Sequence, residues 1–141
     1  MSNHTVTRIQ DLVSGKEPLK YATGAEVAKD VVIDEDAITA DTYGRKLVAK
    51  GDLLLEITAT GLYGPYDHTA SDGRQSLSIG NAVVAAQDVD VQLGDRAIGG
   101  YYHNCVFDLS ELDLGNMATT GAHSTYINAL RTAFPTCVWD D

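Results

Sequence analysis

From residue 31 onward, short apolar stretches alternate with glycine- and aspartate-marked turns at an interval that predicts strands. Val31-Val32-Ile33 is an apolar run closed by the acidic turn Asp34-Glu35-Asp36. Lys46 to Lys50 alternates, and Gly51-Asp52 then turns the chain into the run Leu53 to Thr58. A polar loop follows from Gly61 to Gly73, after which Gln75 to Ala86 continues the sheet with Leu77, Ile79, Ala82, Val83 and Val84 as its apolar positions. Asp88-Val89-Asp90-Val91 alternates strictly, as a strand with one wet face does. Leu93-Gly94-Asp95 turns the chain again. Ala97 to Phe107 reads as one long strand, with Gly99 and Gly100 marking a bulge or a close approach.

The two ends differ from this middle. Residues 1–30 read as an arm without a core of its own. Thr5-Val6-Thr7-Arg8-Ile9 alternates weakly, Ser14 to Pro18 breaks whatever precedes it, and Tyr21 to Ala28 is small and polar. At the other end Tyr126, Ile127, Leu130, Ala133 and Phe134 recur at helical spacing, capped by Ser124 or Thr125 and stopped by Pro135. The helix is expected at about 124–134. No internal repeat, linker or low-complexity tract stands out. The expectation is a mainly β protein: a small barrel- or sandwich-like domain over residues 31–141, with an extended N-terminal arm and one C-terminal helix.

Composition narrows the function. The 141 residues suit a single domain, and 44 % apolar residues are too many for a disordered chain. The formal charge of −10 is uneven: residues 1–50 net −1 and residues 51–141 net −9. Phosphate backbones are bound mainly through Lys and Arg, so an acidic body argues against a nucleic-acid partner. No apolar run reaches the length of a membrane span, and the start of the chain lacks the pattern of a secretory leader. Cys105 and Cys137 are expected as reduced, buried thiols, since a disulfide-stapled secreted domain usually carries more cysteine.

Candidate chemistry is thin. His103 and Cys105 are two apart on an expected strand, which would put them on one side, but two further ligands for zinc are missing. The loop Tyr66 to Arg74 crowds His68, Ser71, Asp67 and Asp72 together. Catalytic triads assemble from separated elements, and Asp72-Gly73 suits a turn better. Asp34-Glu35-Asp36 lacks the ligand spacing of a calcium loop, and Gly61 to Pro65 lacks the helix that a phosphate cradle needs. On these grounds the chain is expected to be no enzyme and to hold no metal or cofactor. Seven tyrosines suit a wet interface as well as they suit strand packing.

A set of short motifs in order carries a resemblance. Arg45-Lys46-Leu47-Val48-Ala49, Asp72-Gly73, Gly80-Asn81-Ala82-Val83-Val84-Ala85-Ala86, Gly94-Asp95 and Val106-Phe107-Asp108 together resemble the lambda-type head decoration proteins of tailed phages. The match covers roughly residues 31–112. The resemblance implies a virion protein that sits as a homotrimer on the outer surface of an expanded capsid and cements neighbouring major capsid protein subunits. It further implies that the arm, with Thr5, Val6, Thr7, Arg8 and Ile9 as candidate contact residues, adds a strand to a capsid-protein loop. The charged arm and the C-terminal helix depart from the family's pattern. A tail or baseplate subunit, or a ligand-binding or catalytic barrel using His68, Asp72, His103 or Cys105, are the alternatives.

Overall fold

The computed structural model describes residues 17–117 and 123–140, residues 123–125 by backbone alone. Among these residues ten strands and one helix form: β1 Leu19–Tyr21, β2 Val27–Ile33, β3 Leu47–Val48, β4 Leu53–Glu56, β5 Tyr63–Pro65, β6 Ala82–Ala85, β7 Val89–Asp90, β8 Arg96–His103, β9 Val106–Asp108, α1 His123–Ala133 and β10 Val138–Asp140. Strands β2-β5-β4-β6-β8 close into a five-stranded barrel. Its longest seam is the antiparallel pairing of β2 with β8, from Val27↔His103 to Ile33↔Arg96. Its weakest seam is parallel, where Ile33 meets Tyr63 and the Asp34 amide donates to the Tyr63 carbonyl at 2.9 Å. The mainly β expectation, with one C-terminal helix, holds.

The central strands explain why their sequence is apolar without alternation. Leu54 of β4 and Val83 and Ala85 of β6 pack with Val31, Ile33, Tyr63 and Ile98 from the other barrel strands, forming the barrel's interior. Their neighbours Leu53, Leu55, Ala82 and Val84 face the other way, into a second core with Phe107, Leu130, Phe134 and Trp139. A strand buried on both faces has no wet position, so a continuous run replaces the alternating pattern. The short β3–β7 pair supplies Val48 and Val91 to the barrel core, which Ile38 joins.

The second core is covered by α1 and a three-stranded sheet, order β1-β9-β10, in which β1 is antiparallel and β10 parallel to β9. Phe107, Phe134 and Trp139 form its aromatic centre, with Phe107 stacked on Trp139 at 4.6 Å and Phe134 edge-on to Trp139 at 5.1 Å. Offset and edge-on pairs of this kind are favoured over a face-to-face sandwich.

Several expectations are corrected. The arm expected over 1–30 is shorter, because β1 and the first four residues of β2 belong to the folded body; they pair through backbone over long separations, which no local apolar pattern announces. Residues Thr5 to Ile9 lie outside the described residues. The loop expected from Gly61 to Gly73 contains β5. The long strand expected over 97–107 divides at Asn104, whose φ of 55° turns the chain out of the barrel and into the second sheet. The sheet stretch expected over 75–86 is regular only as β6. A strand not expected at all, β10, follows Pro135.

The absence of a repeat is also corrected, on a small scale. Cys105-Val106-Phe107-Asp108 and Cys137-Val138-Trp139-Asp140 are near-copies. In the sheet they lie side by side, with Val138↔Val106, Trp139↔Phe107 and Asp140↔Asp108 in register.

Candidate functional site

The first described residues, from Glu17, are fixed to the body by three contacts. Pro18 is buried, and its carbonyl accepts from the Asp108 amide at 2.8 Å. Glu17 pairs with Lys50 at 3.0 Å. Lys20 on β1 reaches Asp140 on β10 at 3.3 Å, spanning β9. Asp108 and Asp140 sit beside each other in register, so a cation at Lys20 relieves their repulsion. Its own pKa is raised accordingly, chiefly by the hydrogen bond to Asp140.

Among the described residues β1 pairs only with β9 and so ends the sheet order β1-β9-β10. The sheet's two faces differ sharply. Phe107 and Trp139 point into the core, with Leu19 packed against it, whereas Tyr21, Val106 and Val138 form a row across the opposite face. Tyr21 is 61 % and Val138 57 % exposed, and Tyr21 reaches this face through a shift in register between Leu19 and Tyr21 on β1. Single exposed apolar residues are ordinary on proteins, but an aligned row at the end of a sheet is a surface suited to a partner.

The loop from Tyr66 to Arg74 uses its polar groups on itself. Asp67 accepts from the Thr69 amide at 2.9 Å, from the Thr69 hydroxyl at 2.6 Å and from Asn116 Nδ2 at 2.9 Å. These bonds, first among them that from the Thr69 hydroxyl, hold its carboxyl below the usual range. Asp72 is taken by Arg74 Nε at 3.0 Å, and His68 Nδ1 meets the Asn116 carbonyl at 2.9 Å. Asp72 and Ser71 border an open depression of about 440 Å³ lined also with Thr58, Gln75 and Asn81, and Asp67, His68, His103 and Cys105 are not part of its lining. Bonds between residues two apart build turns, which is what this loop needs them for.

His103 and Cys105 are separated by the turn at Asn104. His103 Nδ1 contacts the Thr136 hydroxyl at 2.8 Å, while the Cys105 thiol donates to the His103 backbone carbonyl at 3.2 Å. The imidazole and the thiol therefore do not form the pair that an unbroken strand would have aligned. Among the described residues, no group of three or more His, Cys, Asp or Glu side chains is placed to hold a metal ion. No helix among them is long and apolar enough to cross a membrane.

Sequence reasoning missed the sheet face, and its candidate contact residues Thr5 to Ile9 lie outside the described residues. Tyr21, Val106 and Val138 share a row only through one antiparallel and one parallel pairing over long separations. The doubled Cys-Val-aromatic-Asp motif was the signal that could have joined two of them. No family model, curated protein or solved structure matches this chain.

Proposed function

We propose that this chain is a viral structural protein that binds the outer surface of an expanded phage capsid and cements neighbouring major capsid subunits, acting as a trimer without catalysis. One observation carries this reading: β1, which follows the segment expected to be an arm, is anchored to the body in a sheet that turns Tyr21 and Val138 outward. An arm that adds a strand to a partner needs a fixed root, so that pairing at its tip holds the body in place. Residues 31–112, with their resemblance to the lambda-type decoration proteins, supply the class of partner. The acidic remainder of the surface keeps such a particle dispersed and disfavours DNA as a ligand.

Trimeric binding gives the clamp its strength. Three arms on one rigid particle engage together, so that a modest contact per copy becomes a tight one. The test is co-sedimentation of the purified chain with expanded shells lacking it, beside shells offered a chain without residues 1–12. The full chain is expected to pellet with shells and not with naked DNA, and the truncated chain to stay in the supernatant. Equal binding by both would remove the arm from the mechanism. No binding by either would remove the capsid, and density from labelled protein at the tail of whole virions would reassign it there.

A further inference from the structure

The two copies of the Cys-Val-aromatic-Asp motif place two thiols against each other. Val138 pairs with Val106 in a parallel ladder, and the Val138 amide donates to the Cys105 carbonyl at 2.9 Å, so Cys137 stands opposite Cys105 at the ladder's mouth. Neighbouring strands run about 4.8 Å apart, inside the Cα separation of about 4.4–6.8 Å that a disulfide requires. Both side chains turn to the same face as Phe107 and Trp139, into the second core. They lie close enough for each thiol to shift the titration of the other. The cysteines are free in this structure.

We propose that Cys105 and Cys137 form a redox-responsive pair, which closes to an intramolecular disulfide when the protein meets an oxidising thiol–disulfide pool. The proposal stands on the pairing of β9 with β10 and does not depend on the capsid reading. Closure would tie β10 directly to the start of β9 and enclose α1 in a covalent ring, so that the whole covering layer of the second core could no longer peel away. A ring closed over residues 105–137 removes much freedom from the unfolded chain.

The two thiols are not equivalent. Cys137 is 9 % exposed and Cys105 1 %, so an oxidant reaches Cys137 first. The neighbouring Cys105 thiol also pulls the Cys137 thiol below the ordinary cysteine range, while Cys105 is pushed up. The thiolate is the attacking form. With a small disulfide such as oxidised glutathione as oxidant, the Cys137 thiolate attacks one of its sulfurs. The small S–S bond breaks, and one glutathione leaves as thiolate and takes up a proton. Cys105 then loses its proton, attacks Cys137 Sγ in the mixed disulfide and expels the second glutathione. Two protein thiols and one small disulfide become one protein disulfide and two small thiols.

The experiment uses the full chain, reduced and then refolded from denaturant in buffers of graded oxidised to reduced glutathione, which removes any barrier of access. The free-thiol count is expected to fall from two to none, the intact mass to drop by two hydrogens, and peptide mapping to join Cys105 to Cys137. The bridged chain should melt roughly 10 °C higher than the reduced one. Cys105→Ser is expected to retain a glutathione adduct on Cys137 that the parent chain resolves. Two persisting thiols in fully oxidised glutathione, stable glutathione adducts on the parent, or bridges only between chains would each overturn the proposal.

Discussion

Gly100 shows how one absent methyl group sets the width of the barrel. A Cβ at this position would fall 2.5 Å from Val83 Cγ2 and 2.7 Å from Val83 Cβ, on a β6 residue with no exposure. Its neighbour Gly99 has only ordinary contacts, to Ala86 Cβ at 3.7 Å and the Gln87 side chain at 3.9 Å. Gly100→Ala is therefore expected to lower stability by about 1–3 kcal/mol in urea unfolding, and Gly99→Ala to change it by less than about 0.5 kcal/mol. Equal losses at the two sites would show that strand entropy, not the β6–β8 approach, governs them. Polar residues act at the same scale through the turns. The Asp67 carboxyl is lower in the folded chain than its ordinary value of 3.8, first through the Thr69 hydroxyl. Protonation thus favours the unfolded chain. The contribution is present above the ordinary value and is lost as pH falls through the depressed one. Asp67→Asn is expected to flatten the acid limb of the urea midpoint against pH below about 4, leaving the neutral limb parallel to the parent.

The elements legible in the sequence were those whose burial is simple. Helix α1 buries one stripe, so Ile127, Leu130 and Ala133 announced it; it begins at His123, one residue ahead of the cap expected at Ser124. Strand β4 was visible as an apolar run. Strand β5 was not, because its three residues Tyr63-Gly64-Pro65 read as a turn. Gly64 is there for packing, since a Cβ would meet Ala37 Cβ at 2.7 Å. Strand β10 was hidden behind Pro135, and only its parallel partner, thirty-two positions earlier, makes it a strand. The candidate sheet face was not legible for the same reason: the row on the sheet exists only through long-range pairing. Because β4 and β6 face both cores, the two cores should not unfold separately. Leu130→Ala, at a position with no exposure, is expected to cost about 2–5 kcal/mol. Trp139, the chain's single tryptophan, reports the second core by fluorescence, and far-ultraviolet circular dichroism reports the barrel. The two transitions should coincide in parent and variant alike; a fluorescence change preceding the dichroism change would show a layer that detaches on its own.

At the scale of the molecule, the fold separates holding together from holding on. Two cores that share β4 and β6 make the body rigid, and the third strand set, β1-β9-β10, lends that body one inward and one outward face. Inward, Phe107 and Trp139 are committed to packing. Outward, Tyr21 and Val138 stand exposed among the described residues. Replacing both with threonine leaves a β-branched residue at each strand position and removes the apolar contact. Such a variant should melt within a few degrees of the parent, because exposed substitutions outside special backbone positions change stability by about 0.5 kcal/mol or less. Its affinity for expanded shells should nevertheless fall steeply, since three copies engage together and the loss compounds. A fivefold weakening per copy becomes about a hundredfold for a trimer. Quantitative co-sedimentation across a concentration series measures this, with the arm left intact so that its contribution is held constant. Retained affinity in a folded Tyr21→Thr, Val138→Thr chain would assign adhesion to the arm alone and leave the outward row to contacts between sister subunits, where analytical ultracentrifugation of the same variant would register it as a shift from trimer to monomer.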